Sequence, residues 1–425
     1  MSLAWVSVAA LAIAVALSCT TAINVGVLSL AFAMIIGVFF AGLEPAAVLA
    51  GFPTDLLFML LGVTLLFAIA ETNGTLARVT ASAVRLCRGR AGVLPIMFFF
   101  VGFALATIGA GATPASALLA PPAMAVASRA GIRPFLMALM AGNGALAGTL
   151  SPFAPTGVVA DGVMARIGLA GVEWQTFLYN ALAHAFVGFG GFLLFGGWKL
   201  FRGGGGNLAF EESRLKPLPQ EPLPQSQVGG AMERAHWLTV GGIVVFIVAV
   251  AGVGLDVGIA GLSVATVLIL VRAGDEAKAI QRMPWGVILM VTGVTVLIAL
   301  LRETQGLALI TDGIGRIATA GTVHAIVAFA AGLVSVYSST SGVVLPAFLP
   351  MAPPLAQQLG IDPLAIAWSM NVSASLVDLS SLSTVGALFI AGAAGTDVRK
   401  LFMALLAWGL AMAVVGAALC WVLFG

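Results

Sequence analysis

Hydroxyl side chains crowd four short stretches of this chain. Thr113 and Ser116 follow Gly109-Ala110-Gly111-Ala112, and Ser151 and Thr156 flank Pro152-Phe153-Ala154-Pro155. Ser338-Ser339-Thr340-Ser341 precede Gly342, and Ser380, Ser381, Ser383 and Thr384 follow Asp378. A hydroxyl both donates and accepts hydrogen bonds. Where a helix stops, its freed N–H groups suit an anion and its freed carbonyls suit a cation. Such stretches could therefore hold a small carboxylate without a buried arginine. The candidates for that anion are Thr113, Pro114, Ser116, Pro152, Ser339, Thr340, Ser341 and Ser381. A sodium ion could use carbonyls, hydroxyls and amides, the candidates being Gly109, Ala112, Asn143, Ser151, Ser338, Asn371, Asp378, Ser380 and Ser383. The plainer reading of any one Ser or Thr is helix packing or a bond back to the preceding turn.

Asp378 is the one acid expected inside such a stretch. A carboxylate at membrane depth is costly and usually functional, as a cation ligand or a proton carrier; a cap in a wet vestibule is the alternative. Asp161 is expected nearer the surface, solvated or paired. Asp55 follows Pro53-Thr54 and reads as a helix N-terminal charge. Glu71 and Glu303 end apolar runs and read as structural. His184, alone in an apolar run, reads as a hydrogen-bonded packing residue rather than a proton relay.

The elements that must position these groups cross a membrane. Hydrophobic residues make up 60% of the chain and charged residues 8%, against about 25% charged in soluble domains; the mean hydropathy is +1.11. The apolar runs are long and continuous rather than the ~10-residue alternating segments of a barrel, so helices satisfy the backbone. A net charge of +2 and three cysteines (Cys19, Cys87 and Cys420) give no basic surface for nucleic acid and no metal or disulfide pattern. Residues 3–20 lack a basic segment before them and read as a first span rather than a signal peptide.

Full spans are expected near 3–20, 22–43, 54–72, 177–200, 236–252, 256–272, 284–301 and 399–423. Residues 92–130 and 322–359 are apolar but interrupted by Gly, Pro and hydroxyl residues, which predicts two re-entrant hairpins. Residues 133–168 and 362–393 are predicted as helices broken in mid-span. Pro152 and Pro155 enforce the first break; the second rests on its Ser and Thr run and on repetition. Segments 73–90 and 303–320 look like interfacial helices.

That repetition is explicit. Gly131-Ile132-Arg133-Pro134, fifteen residues, Leu150-Ser151-Pro152-Phe153 and Gly157 recur 229 positions later as Gly360-Ile361-Asp362-Pro363, fifteen residues, Leu379-Ser380-Ser381-Leu382 and Gly386. Upstream, Gly62-Val63-Thr64-Leu65-Leu66 with Glu71-Thr72-Asn73-Gly74 is echoed by Gly293-Val294-Thr295-Val296-Leu297 with Glu303-Thr304-Gln305-Gly306. The expected fold is thus an all-α polytopic membrane protein of two repeats, 1–202 and 236–425, around a cytoplasmic linker at 203–235. Each repeat has five crossings, one of them a broken helix, plus one hairpin. An odd number of crossings inverts the second repeat. With both termini outside, all but Arg166, Arg302 and Arg316 of the basic residues fall on the cytoplasmic side, as the positive-inside rule requires. Irregular backbone at membrane depth must line a cavity or be buried in protein, so four symmetry-related breaks point to a transporter.

At these same residues the chain resembles the ion transporter superfamily, and most closely the MatC-type malonate/dicarboxylate carriers. The familiar stretches are Gly51-Phe52-Pro53-Thr54-Asp55-Leu56, Leu66-Phe67-Ala68-Ile69-Ala70 with Asn73-Gly74-Thr75, Ala83-Val84-Arg85-Leu86 with Arg88-Gly89-Arg90, and Ser151-Pro152. The wider divalent anion/sodium symporters carry a Ser-Asn-Thr hairpin-tip motif followed by a proline. The matching positions read Gly111-Ala112-Thr113 with Pro121 and Ser338-Ser339-Thr340 with Pro346: the threonines match and the asparagines are absent. The resemblance implies two sodium sites, one between each tip and its neighbouring break, a dicarboxylate between them, a homodimer, and an elevator-like movement of the hairpin domain.

The expected protein is a secondary transporter of a bacterial inner membrane that imports a small dicarboxylate, with malonate favoured, driven by sodium and needing no cofactor. A proton-coupled carrier or sodium/proton exchanger using Asp378 is the alternative. An intramembrane serine hydrolase is a remote one, since no serine sits in a nucleophile motif. A passive channel is a further alternative, and because a channel conducts without obligatory coupling, countertransport stimulated by internal substrate would argue against it.

Overall fold

A computed structural model describes residues 2–21, 23–86, 91–202, 232–393 and 398–425. All regular structure among these residues is helical, and seven helices are long and apolar enough to cross a membrane. Arg88, Gly89, Arg90, Cys87 and most of the expected linker, 203–231, lie outside the described residues.

The helices follow the same order twice. Leu3–Thr20, Val25–Ile35 and Thr54–Thr72 correspond to Arg234–Ala251, Val257–Leu270 and Trp285–Glu303. Two strongly amphipathic helices come next, Thr75–Leu86 and Gly306–Ile317. Their one-sided apolar stripe is what a helix lying along the membrane surface needs. The first hairpin is Val93–Leu105, a widened π turn at Ala106–Ala110, then Ala112–Arg129. The second is Val323–Tyr337, a π turn at Thr340–Val344, then a run ending in Ala352–Leu359. The broken helices are Pro134–Ala147 with Pro155–Arg166 and Pro363–Leu376 with Thr384–Ala391. Glu173–Leu194 and Val398–Phe424 close each set. The expected span at 177–200 starts earlier and ends at Leu194, where Gly196 and Gly197 turn the chain.

Close helix crossings show the same correspondence. A Cβ on Gly62 would lie 2.4 Å from the carbonyl oxygen of Gly258, and one on Gly293 would lie 2.1 Å from that of Gly26. Thr54–Thr72 thus crosses Val257–Leu270 backbone to backbone, as Trp285–Glu303 crosses Val25–Ile35. In a bilayer, where lipid tails are as apolar as leucine, small residues at a crossing supply the dispersion contact that holds helices together. Gly293→Val should destabilise the protein by about 2 kcal/mol or more, read as a fall in melting temperature in detergent. An unchanged melting temperature would show that the crossing does not depend on this approach.

Ion pairs fix the two ends of Thr54–Thr72. Asp55 meets Arg166 at 2.8 Å, and Glu71 meets Arg282 at 2.5 Å. The Glu71 carboxylate holds the Arg282 guanidinium above its ordinary range. Arg166 and Arg282 therefore stand at opposite ends of one helix.

Candidate functional site

The two helix interruptions are built alike, although only the first contains proline. Ser151 N–H donates to Gly148 O at 3.1 Å and Ser380 N–H to Val377 O at 2.9 Å. Ala154 N–H then donates to Ser151 O at 2.9 Å, and Ser383 N–H to Ser380 O at 3.0 Å. The Ser151 hydroxyl accepts from Phe153 N–H and the Ser380 hydroxyl from Leu382 N–H, both at 3.3 Å. The restarting helix then passes against the turn, for a Cβ on Gly157 would lie 1.9 Å from Ser151 O and one on Gly386 2.0 Å from Ser380 O. A short-range serine–backbone pattern with glycine six residues on makes the turn. Proline contributes the first helical position, Pro155, where its missing N–H costs nothing. In the second break Ser383 caps the new helix, accepting from Gly386 N–H at 3.2 Å.

Each hairpin tip sits on its own break. In the first, Gly109 (φ +120°) and Gly111 (φ +78°) turn the chain. A Cβ on Gly109 would lie 2.2 Å from the Phe67 ring and 2.9 Å from Phe153 O. Ser151 donates to Thr107 O at 2.7 Å, tying break to tip. In the second, Thr340 Oγ1 lies 2.8 Å from both carboxylate oxygens of Asp378 and 3.1 Å from Ala374 O. Ser335 Oγ is 2.5 Å from Thr340 Oγ1 and 3.4 Å from Asp378 Oδ1.

Those five oxygens share only the hydroxyl hydrogens of Ser335 and Thr340. An oxygen-rich, hydrogen-poor cluster beside a carboxylate is chemically suited to a hard cation, or to a proton on the acid. The first half lacks the acid. The repeat offset of 229 places Thr149 where the second half has Asp378 (378 − 229 = 149), and Thr149 is buried.

The helix starts pair the tips differently from the motif comparison. Gly111 and Ser339 are the equivalent caps, so buried Ala112 matches buried Thr340, and exposed Thr113 matches half-buried Ser341. Pro114 is half-buried and Pro152 is buried. Ser116 and Ser381 are buried with hydroxyls that have no hydrogen-bond partner. Ser338 bonds back to Val334 O at 2.8 Å, and Ser339 accepts from Gly342 N–H at 3.0 Å. Ser383 donates to Ser380 O at 2.9 Å and to Asp378 O.

The two asparagines expected as cation ligands differ. Asn143 spends both amide atoms within the protein, on Leu139 O at 2.8 Å and His184 Nδ1 at 3.0 Å. Asn371 bonds Met164 Sδ at 3.3 Å through Nδ2, while its buried Oδ1 has no partner. His184 and His324 touch Ser375 and Ser369 at 3.2 and 3.3 Å. Neither serine lies in an interruption.

Ser335, Thr107 and Ala374 were not singled out from the sequence. Ser335 sits one turn inside an ordinary apolar helix, and Ala374 contributes only its carbonyl, so composition carries no sign of either. Asn180 was legible in principle, because a primary amide in the middle of a span must find partners. A cavity of about 430 Å³ lined by Arg302, Gln305, Thr311, Asp312, Gln357 and Gln358 lies where Gly306–Ile317 meets the hairpin base. None of the tip or break residues lines it.

The helical order, with two tips seated on two breaks, defines a class by its architecture, the all-helical polytopic membrane proteins. Residues 1–149 match the family model of the dicarboxylate carrier protein MatC N-terminus, which bears out the resemblance over that part of the chain. No curated protein matches the chain in sequence. Among solved structures it is similar to the YdaH transporter of Alcanivorax borkumensis, described as having an unusual topology. That match has a TM-score of 0.59 at 14% identity over 93% of this chain and 96% of that one. It is also similar to MtrF of Neisseria gonorrhoeae, from a class of antimetabolite efflux pumps, with a TM-score of 0.56 at 13% identity over 89% and 83% of the two chains. At these identities the likeness is one of fold.

Proposed function

We propose that the protein is a secondary active transporter for a small dicarboxylate, malonate favoured, coupled to sodium and working by an elevator-type movement of the hairpins and broken helices. The observation that carries this reading is the seating of each hairpin tip on a helix break, with Asp378, Thr340 and Ser335 gathered at the second. The match of residues 1–149 to a dicarboxylate carrier model supports the substrate class. The repeated helix order supports an inverted duplication, and the charge layout supports termini outside an inner membrane. A homodimer fits the same reading. Cations that complete the site before the anion binds make the affinities of the two linked. An inward sodium gradient then drives import.

The test is malonate uptake into proteoliposomes with sodium outside, compared with choline. Sodium-dependent uptake is the expected result. Persistence in choline under a pH gradient alone would replace sodium by the proton, a second reading that the Asp378 cluster itself favours. Absence of uptake and of countertransport for all C3 to C5 dicarboxylates would reject the proposal.

A further inference from the structure

Four polar side chains with no exposed surface, Asn143, Asn180, His184 and Ser375, form one chain between the two broken helices. Asn143 lies one turn before the end of Pro134–Ala147, Asn180 and His184 lie on Glu173–Leu194, and Ser375 is next to last in Pro363–Leu376. Asn143 donates to Leu139 O, so its Oδ1 faces His184 Nδ1 at 3.0 Å. His184 Nε2 lies 3.2 Å from Ser375 Oγ, which in turn contacts Asn180 Oδ1. Asn180 Nδ2 donates to Leu146 O at 2.9 Å and Ala147 O at 3.2 Å, the last carbonyls before the first interruption.

Counting hydrogens shows what this chain can do. Both amide oxygens only accept, a neutral imidazole brings one N–H, and serine brings one O–H. Two hydrogens must serve three contacts between these side chains, Asn143 to His184, His184 to Ser375, and Ser375 to Asn180, while Val372 O, 3.1 Å away, is a further acceptor for the Ser375 hydroxyl. At least one of the three is always empty, and an unmade bond between buried polar atoms is costly, so a small shift of Ser375 decides which one. Ser375 stands three residues before Asp378 and beside Ala374, whose carbonyl faces Thr340.

We propose that this chain couples the two interruptions. An occupant at the Asp378–Thr340 cluster moves Ser375, the empty contact relocates, and Asn180 tightens or releases the carbonyls that end the first broken helix. His184, Ser375 and Asn180 are positioning residues in this sense, and the inference rests on the reading of the two breaks as the binding sites.

The test needs no substrate. Amide hydrogen exchange at residues 148–157 is measured on the full protein in lipid nanodiscs. Ser375→Ala is expected to raise it at least tenfold, and Ser375→Thr to restore it to within threefold of wild type. Ser373→Ala is the control, since Ser373 is equally buried on the same helix and its hydroxyl has no partner; it should leave the first break unchanged. Equal effects of the two alanine variants, or none, would overturn the coupling. In unaltered protein labelled with 15N-histidine, the His184 proton should sit on Nδ1 for at least part of the time, which leaves the Ser375 hydroxyl to choose between His184 Nε2 and Asn180 Oδ1. A proton held permanently on Nε2 would fix the empty contact at Asn143 and overturn the coupling as well, even if Ser375→Ala does not fold. Failure of these measurements leaves the transport reading standing, whereas failed uptake with intact coupling rejects only that reading.

Discussion

Asp378→Asn is expected to raise the coupling-cation concentration needed for half-maximal uptake by tenfold to a hundredfold, with no loss of folded protein. Among the described residues Asp378 is the only ionisable group in either interruption, and both its carboxylate oxygens face Thr340 Oγ1 at 2.8 Å. Contacts to a charged group contribute about 1.5–3 kcal/mol, which is roughly one to two powers of ten in affinity. Asparagine keeps the shape and one acceptor but neither the charge nor the second oxygen. Removing a buried charge should leave the melting temperature of the unliganded protein unchanged or higher. Uptake measured against cation concentration in proteoliposomes reads the first effect and a melting curve the second. An unaltered cation dependence would remove Asp378 from the coupling site under either the sodium or the proton reading.

Gly386→Ala and Gly157→Ala should have the largest effect on stability. The added methyl would lie 2.0 or 1.9 Å from a carbonyl oxygen of the turn it passes. Because that neighbour is backbone, no side chain can swing aside. Either the restarting helix lifts off or the turn opens, and overpacking of this kind costs about 3 kcal/mol or more. Gly190→Ala is the control: it lies in Glu173–Leu194 with open space where its Cβ would be. There alanine should be neutral or slightly stabilising, since it restricts the unfolded chain more than glycine does. Melting temperatures in detergent separate the cases. A Gly386→Ala variant as stable as Gly190→Ala would mean the close approach is not a feature of the folded protein.

Much of this architecture was legible because its signals are local. Long apolar runs and their punctuation by Gly, Pro and Ser predict helices and interruptions that lie near those of the structure, except that the run expected at 177–200 is the helix Glu173–Leu194. Matched serine and glycine spacing relates the two breaks in the sequence, and in the structure they are one turn made twice. What sequence could not supply was the set of oxygens that converge from separate elements. Ser335 reaches Thr340 only because the tip folds back by five residues, and Thr340 reaches Asp378 across 38 positions. The tip register was also ambiguous, since aligning like residues pairs Thr113 with Thr340, whereas the helix caps pair Thr113 with Ser341. Asn143 is a candidate cation ligand by residue type alone; its partners come from a neighbouring helix and from its own helix, and only packing shows that both amide atoms are engaged.

The unequal interruptions, with threonine at 149 and aspartate at 378, bear on how the proposed cycle is powered. A monovalent cation on Asp378 makes that site electrically neutral for the loaded journey. Once the cargo has left, the same carboxylate travels back as a lone negative charge, outward across a membrane whose interior is negative. The resting voltage then does work on the unloaded protein, about 2.3 kcal/mol per charge for each 100 mV. Voltage would therefore speed the resetting step rather than the delivery.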